Sequence, residues 1–170
     1  MKTQELKDLA DYLHGSIPRI SFYPQVDAEY QGLKFSLFII PETKGSPETL
    51  KIVLFKSSFF KLRILRKVFC SCFLEKLFGM PELKVNDELF DKALLIQSND
   101  SFQTLNFLGD LDRKNAIKEL FNSKVNSLEI DGKKITIKKP NYDEDRNLES
   151  QNITKVFQQL ALLAQGLKAP

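Results

Sequence analysis

The chain has 170 residues, 42% hydrophobic and 28% charged, a globular balance that excludes intrinsic disorder and suits a single domain over residues 1–170. Its formal charge of +3 is too mild to imply a polyanionic partner by itself. No stretch approaches the roughly 18 apolar residues of a membrane-crossing helix, since the longest uncharged run, Val156 to Leu167, contains three Gln.

The first residues mix both signs of charge and lack the apolar segment of a signal peptide, so a cytoplasmic location is expected. Leu6, Leu9, Ala10 and Leu13 lie on one helical face, and Gly15 offers a stop, which predicts a helix over 3–14. Residues 17–24, bracketed by Pro18 and Pro24, suit an edge strand or an extended entry. Residues 33–40 and 50–56 alternate as strands and flank a polar loop with Pro41, Gly45 and Pro47, which makes them an antiparallel hairpin. Residues 60–64 alternate again. The period then changes, and Leu65, Val68, Phe69, Cys72, Phe73 and Leu77 predict a short helix ending near Gly79, Met80 and Pro81.

Residues 93–98 read as a strand, with Phe90 and Asp91 leading into it in extended form and Asp91 placed as a turn or backbone-capping carboxylate. Asp100, with Gln103 three residues on, predicts a capped helix bearing Phe102, Leu105 and Leu108. Gly109 breaks it, and Asp110 or Asp112 caps a second helix with Ala116, Ile117, Leu120 and Phe121. Residues 128–130 and 135–137 flank Asp131-Gly132, which favours a type I′ hairpin. Ile153, Val156, Phe157, Leu160, Leu163, Ala164 and Leu167 form the apolar face of a long closing helix. Adjacent strands with short connections predict an α+β fold, a mainly antiparallel sheet with helices packed on one face.

Glu29 to Gly32 before a strand, the basic strand 60–67, and Phe90-Asp91 running into 94–100 resemble the soluble domain of uncharacterised bacterial families. In those, a Gly-containing strand, a basic strand and a Phe-Asp strand precede a helix pair, a hairpin and a closing helix. The resemblance spans residues 26 to 167 and brings no known activity. It implies a bacterial chain, and some members carry membrane anchors that this sequence lacks.

The chemistry-bearing residues argue against an enzyme. Cys70 and Cys72 form a lone Cys-x-Cys pair, and His14 is the one histidine, so a four-ligand metal site is not expected and the thiols read as buried and inert. His14 at a helix end reads as a solvated cap, leaving a Ser or Cys nucleophile without an imidazole base. Neither a phosphate-cradling glycine loop nor a zinc-protease motif occurs, and no cofactor is expected. Asp110, Asp112, Asp143, Glu144 and Asp145 could converge in space, but their placement in helix starts and a loop favours capping and solubility.

The strongest charge asymmetry lies over 51–76, where Lys51, Lys56, Lys61, Arg63, Arg66, Lys67 and Lys76 face only Glu75, a net +6 that leaves −3 for the remainder. Interleaved with Phe55, Phe59 and Phe60, these cations could follow nucleic acid or an anionic membrane, and Lys133, Lys134, Lys138 and Lys139 could extend the surface. Alternating cations are also how an exposed sheet face stays soluble. The expected function is therefore non-enzymatic binding: a protein partner or self-association through the closing helix, with an anionic surface met by the basic segment as the alternative.

Overall fold

The computed structural model describes residues 3–67, 80–141 and 150–167. In chain order the elements are α1 (Thr3–Tyr12), β1 (Gln25–Tyr30), β2 (Leu33–Ile40), β3 (Thr49–Phe55), β4 (Lys61–Arg66), α2 (Glu88–Ala93), β5 (Leu94–Ser98), α3 (Ser101–Gly109), α4 (Leu111–Asn122), β6 (Ser127–Asp131), β7 (Lys134–Pro140) and α5 (Ser150–Gln165). The strands form one seven-stranded sheet in the order β1-β2-β3-β7-β6-β4-β5. Every pairing in it is antiparallel. The fold is α+β, as the sequence predicts.

Alternation along the strands sorts the residues into two faces. Phe35, Leu37 and Ile39 of β2, Leu50, Ile52 and Leu54 of β3, Leu62 and Ile64 of β4, and Ile135 and Ile137 of β7 point into one buried cluster. The helices complete that cluster from the same side: Leu6 and Leu9 of α1, Phe107 and Leu108 of α3, Ile117 and Leu120 of α4, and Ile153, Phe157, Leu160 and Leu163 of α5. Phe157 stacks on Phe35 with ring centroids 4.2 Å apart and planes 16° apart.

Several local expectations are corrected. Residues 17–24 form no strand; the edge strand is β1, joined to the preceding chain by Ser16, which exchanges backbone hydrogen bonds with Asp27. The tight turn with positive φ at both central residues is Gln31-Gly32 (52° and 74°), linking Tyr30 to its partner Leu33. At Asp131-Gly132 only Gly132 has positive φ (89°), so that hairpin does not use type I′, and the Asp131 carboxylate accepts from the Lys133 amide instead. Phe90 and Asp91 are helical, not extended, because Asp87 accepts the Phe90 amide hydrogen and starts α2. The Asp91 carboxylate does cap backbone, accepting from Val85 N–H at 3.0 Å. In α3 the buried residues are Thr104, Phe107 and Leu108, whereas Phe102 is 72% exposed.

Leu65 and Arg66 belong to β4, and the helix expected after them, with Cys70 and Cys72, lies outside the described residues, as do Asp143, Glu144 and Asp145.

The stop of α1 is His14, held at φ 48°, while the next amide, Gly15 N–H, reaches back to the Ala10 carbonyl at 2.8 Å. Gly15 is needed for a different reason: a Cβ there would collide with the Asp27 carbonyl oxygen on β1. Gly15→Ala is expected to destabilise the protein by about 1–3 kcal/mol in urea unfolding, since backbone has to move to admit the methyl. An unchanged midpoint would show that α1 is not tied to the sheet in this way.

Candidate functional site

The described helices pack on one face of the sheet, and strand register arranges the side chains of the other face in rows. On that other face Ser36, Val53, Ser127, Thr136, Leu95 and Gln97 are buried, and Gln25, Phe38, Lys51 and Lys138 are half-buried. One row runs Gln25, Phe38, Lys51, Lys138, Ser127, Leu65 and Leu95 from β1 across to β5. The next runs Asp27, Ser36, Val53, Thr136, Glu129, Arg63 and Gln97. Lys51 and Lys138 are thus direct cross-strand partners, and no carboxylate shares their row. Lys51 Nζ lies 5.5 Å from the centre of the Phe38 ring. Burial and then the charges of Lys134 and Lys138 hold the Lys51 ammonium below the usual lysine range, against a weaker opposing pull from Glu129.

The second row is neutralised and locked. Arg63 pairs with Glu129 at 3.2 Å, and Asp27 accepts from Ser36 at 2.6 Å and from Gln25 at 2.7 Å. Beyond it lie Lys61 opposite Asp131, and Phe55 opposite Lys134, with Lys134 also 3.4 Å from the Asp131 carboxylate. Phe55 is 53% exposed. The cationic, aromatic part of this face is therefore Lys51, Lys138 and Phe38, bordered by Lys134 and Phe55.

The structure divides the six cations singled out in the sequence. Lys51, Lys61 and Arg63 lie on the face opposite the helices, joined by Lys134 and Lys138 but not by Lys133 or Lys139 of the four hairpin lysines named in the sequence. Arg66 does not: its guanidinium donates to the carbonyls of Phe121 and Val125, closing the end of α4, and lies 5.9 Å from the Phe121 ring centre. Lys67 donates to Glu82 at 2.9 Å and to the Asp91 carbonyl at 2.8 Å. Lys56 sits just past β3, where its amide bonds the Lys133 carbonyl.

Two carboxylates off this face serve the fold. Burial raises the Glu82 pKa, but hydrogen bonds from Lys84 and Lys67 outweigh it, and the net shift is downward. Asp87 is held below the usual aspartate range, first by the Phe90 amide and then by Lys118 and Lys114 at 3.4 and 3.7 Å, against opposing burial. A depressed carboxylate stabilises the folded state above its unfolded pKa, and that contribution disappears as pH falls through the folded value. Asp87→Ala is expected to cost about 1 kcal/mol near neutral pH through loss of the cap. The difference from the parent should shrink in acid melts as pH falls through and below the ordinary aspartate range. A pH-independent difference would assign the loss to packing instead.

Among the described residues no group of three or more His, Cys, Asp or Glu is placed to share a metal ion. His14 is exposed, and Asp110 accepts from the Arg113 amide as the cap of α4. The closing helix buries Ile153, Phe157, Leu160, Leu163, Ala164 and Leu167 within its own domain, so that apolar stripe is used in the core. A cleft of about 260 Å³ opens where α4 ends beside α5, floored by Leu50, Ile52 and Ile137. Of the three lysines that line it, Lys124, Lys139 and Lys155, the first two are engaged by other groups of the chain. The sequence reading missed the loop between α1 and β1, where Ile20 is 95% and Phe22 100% exposed. No helix among the described residues is long and apolar enough to cross a membrane.

Comparison with family models and with curated proteins gives no match. Among solved structures, the chain is similar to the mycobacterial trehalose monomycolate transport factor A, with a TM-score of 0.64 and 8% sequence identity, covering 98% of this chain and 96% of that one. At that identity the likeness is one of fold alone.

Proposed function

We propose that this chain is a non-enzymatic binding domain, cytoplasmic and bacterial, whose lysine-bearing sheet face docks on an anionic surface. The observation that carries this reading is the direct pairing of Lys51 with Lys138 in a row without a carboxylate. Like charges opposite each other on a sheet are destabilising, and an anion placed over both would relieve that repulsion. Phe38 beside Lys51, and exposed Phe55 opposite Lys134, add apolar contact between the charges.

In a cytoplasmic setting the anionic surfaces on offer are nucleic acid and the inner leaflet of the membrane. The test is retention on heparin and co-sedimentation with phosphatidylserine vesicles, each across a salt series. Retention that weakens with salt and depends on Lys51 and Lys138 is expected. Elution with the void volume at low salt would remove the reading.

A further inference from the structure

We infer that the loop over residues 16–24 is a wedge that inserts into a lipid bilayer, so that the surface met by the lysine-bearing face is an anionic membrane. This rests on the binding reading above and adds what the ligand is.

The loop leaves large apolar side chains in water. Phe22 is fully exposed and Ile20 nearly so, with Tyr12, Ile17 and Tyr23 each more than a third exposed around them. Singly exposed apolar residues are ordinary, but a cluster at the tip of one loop marks an interaction site. Residues 12–24 contain Arg19 and His14 and no carboxylate. Ile and Phe at a tip, flanked by Tyr and Arg, match the demands of a bilayer boundary, where an apolar tip is buried and amphipathic rings and cations stay at headgroup level.

The loop is held in place before it meets a membrane. Ser16 exchanges two backbone hydrogen bonds with Asp27, at 2.7 and 2.8 Å, and the Pro24 carbonyl accepts from Ile39 N–H at 2.9 Å. Ser21 Oγ donates to the Tyr23 carbonyl at 2.6 Å and contacts Gln25 Oε1 at 2.9 Å. Both ends are therefore tied to the first two strands, which lowers the entropy cost of ordering the tip on binding.

Those same contacts place the wedge beside the cations. Gln25 opens the row that continues through Phe38 to Lys51 and Lys138. Lys138 is three strand spacings from Gln25, roughly 14 Å, so wedge and lysines fall within one footprint. Carboxylates also lie at that edge, each with a neighbour of its own: Asp27 is engaged by Gln25 and Ser36, Glu29 stands opposite Lys34, Asp11 ends α1, and Glu42 shares its loop with Lys44. A protein partner would need a shaped pocket for a convex tip as well as an acidic patch. An anionic bilayer supplies both apolar depth and negative charge without any shape requirement.

The chain has no Trp, so Phe22→Trp installs a single reporter at the tip. On vesicles of equal parts phosphatidylcholine and phosphatidylserine, its emission should move to shorter wavelength and be quenched by brominated acyl chains. The pair Ile20→Ser and Phe22→Ser should weaken co-sedimentation by roughly tenfold or more. Its melting temperature should match the parent, because both side chains are solvent-exposed. Vesicle binding with unshifted Phe22→Trp emission, or with full affinity in the Ser pair, would overturn the wedge and leave the basic face standing. Retention on heparin or single-stranded DNA without vesicle binding would also overturn the bilayer, in favour of a nucleic acid. Loss of all anion binding would remove both proposals.

Discussion

Phe157→Ala is expected to lower the unfolding free energy by about 3–5 kcal/mol, the cost of removing a buried aromatic ring from a core that closes only partly over the gap. Phe157 is 1% exposed and lies face to face with Phe35 at 4.2 Å, with Tyr30 at 6.4 Å on another side. Those two partners lie on the two strands that the Gln31-Gly32 turn joins, so one side chain of α5 braces the hairpin that forms an edge of the sheet. Ile153, Leu160 and Leu163, each without solvent exposure, surround it along the same helix and restrict relaxation. Urea unfolding should show a lower midpoint with an unchanged slope. A loss below about 1 kcal/mol would mean that the site collapses freely, and that α5 packs less tightly than its burial indicates.

The same residues show why parts of this fold are legible in the sequence. The stripe of α5, the alternation of β2 and β3 and the caps Asp100 and Asp110 are local signals with one physical solution, and each is realised. β1 is hidden because its inward positions are only Val26 and Ala28, set among Gln25, Asp27 and Glu29, and its turn uses Gln31 where Asn or Asp is usual. α2 is hidden because the apolar positions from Phe90 to Ile96 run on into β5, and only Asp87 marks the helix start. α3 offers two apolar sets at helical spacing, and local sequence does not say that Phe107 and Leu108 meet the core while Phe102 faces water.

Longer-range features carry less local signal. The β6–β7 hairpin enters between β3 and β4, a pairing that no property of those strands announces. That insertion is what sets Lys51 opposite Lys138. The alternation of Lys61 with Arg63 makes the lysine-bearing face legible in the sequence, but the loss of Arg66 and Lys67 from it depends on partners 55 and 15 residues away.

Replacing Lys51 and Lys138 together by Gln is expected to weaken binding to phosphatidylserine vesicles or heparin by about thirtyfold, taking roughly 1 kcal/mol for each lysine near an anionic surface. The effect should be largest at low ionic strength and shrink as the Debye length falls. Stability provides the discriminating control. A lysine whose folded pKa is depressed disfavours folding while it is charged, and that penalty fades as pH rises through the folded value. Removing the charge should therefore leave the melting temperature unchanged or slightly higher, by about a few tenths of a kcal/mol for one like-charge pair. Lys92→Gln gives the reference: it removes a cation that pairs with Glu88 on α2, away from the Lys51 row, and retention should barely change. If the lysines only keep the sheet face soluble, the double variant and the Lys92 variant will bind alike. If they support packing, the double variant will melt earlier. Weaker binding with undiminished stability is the combination expected of residues kept for a ligand at some cost to the fold.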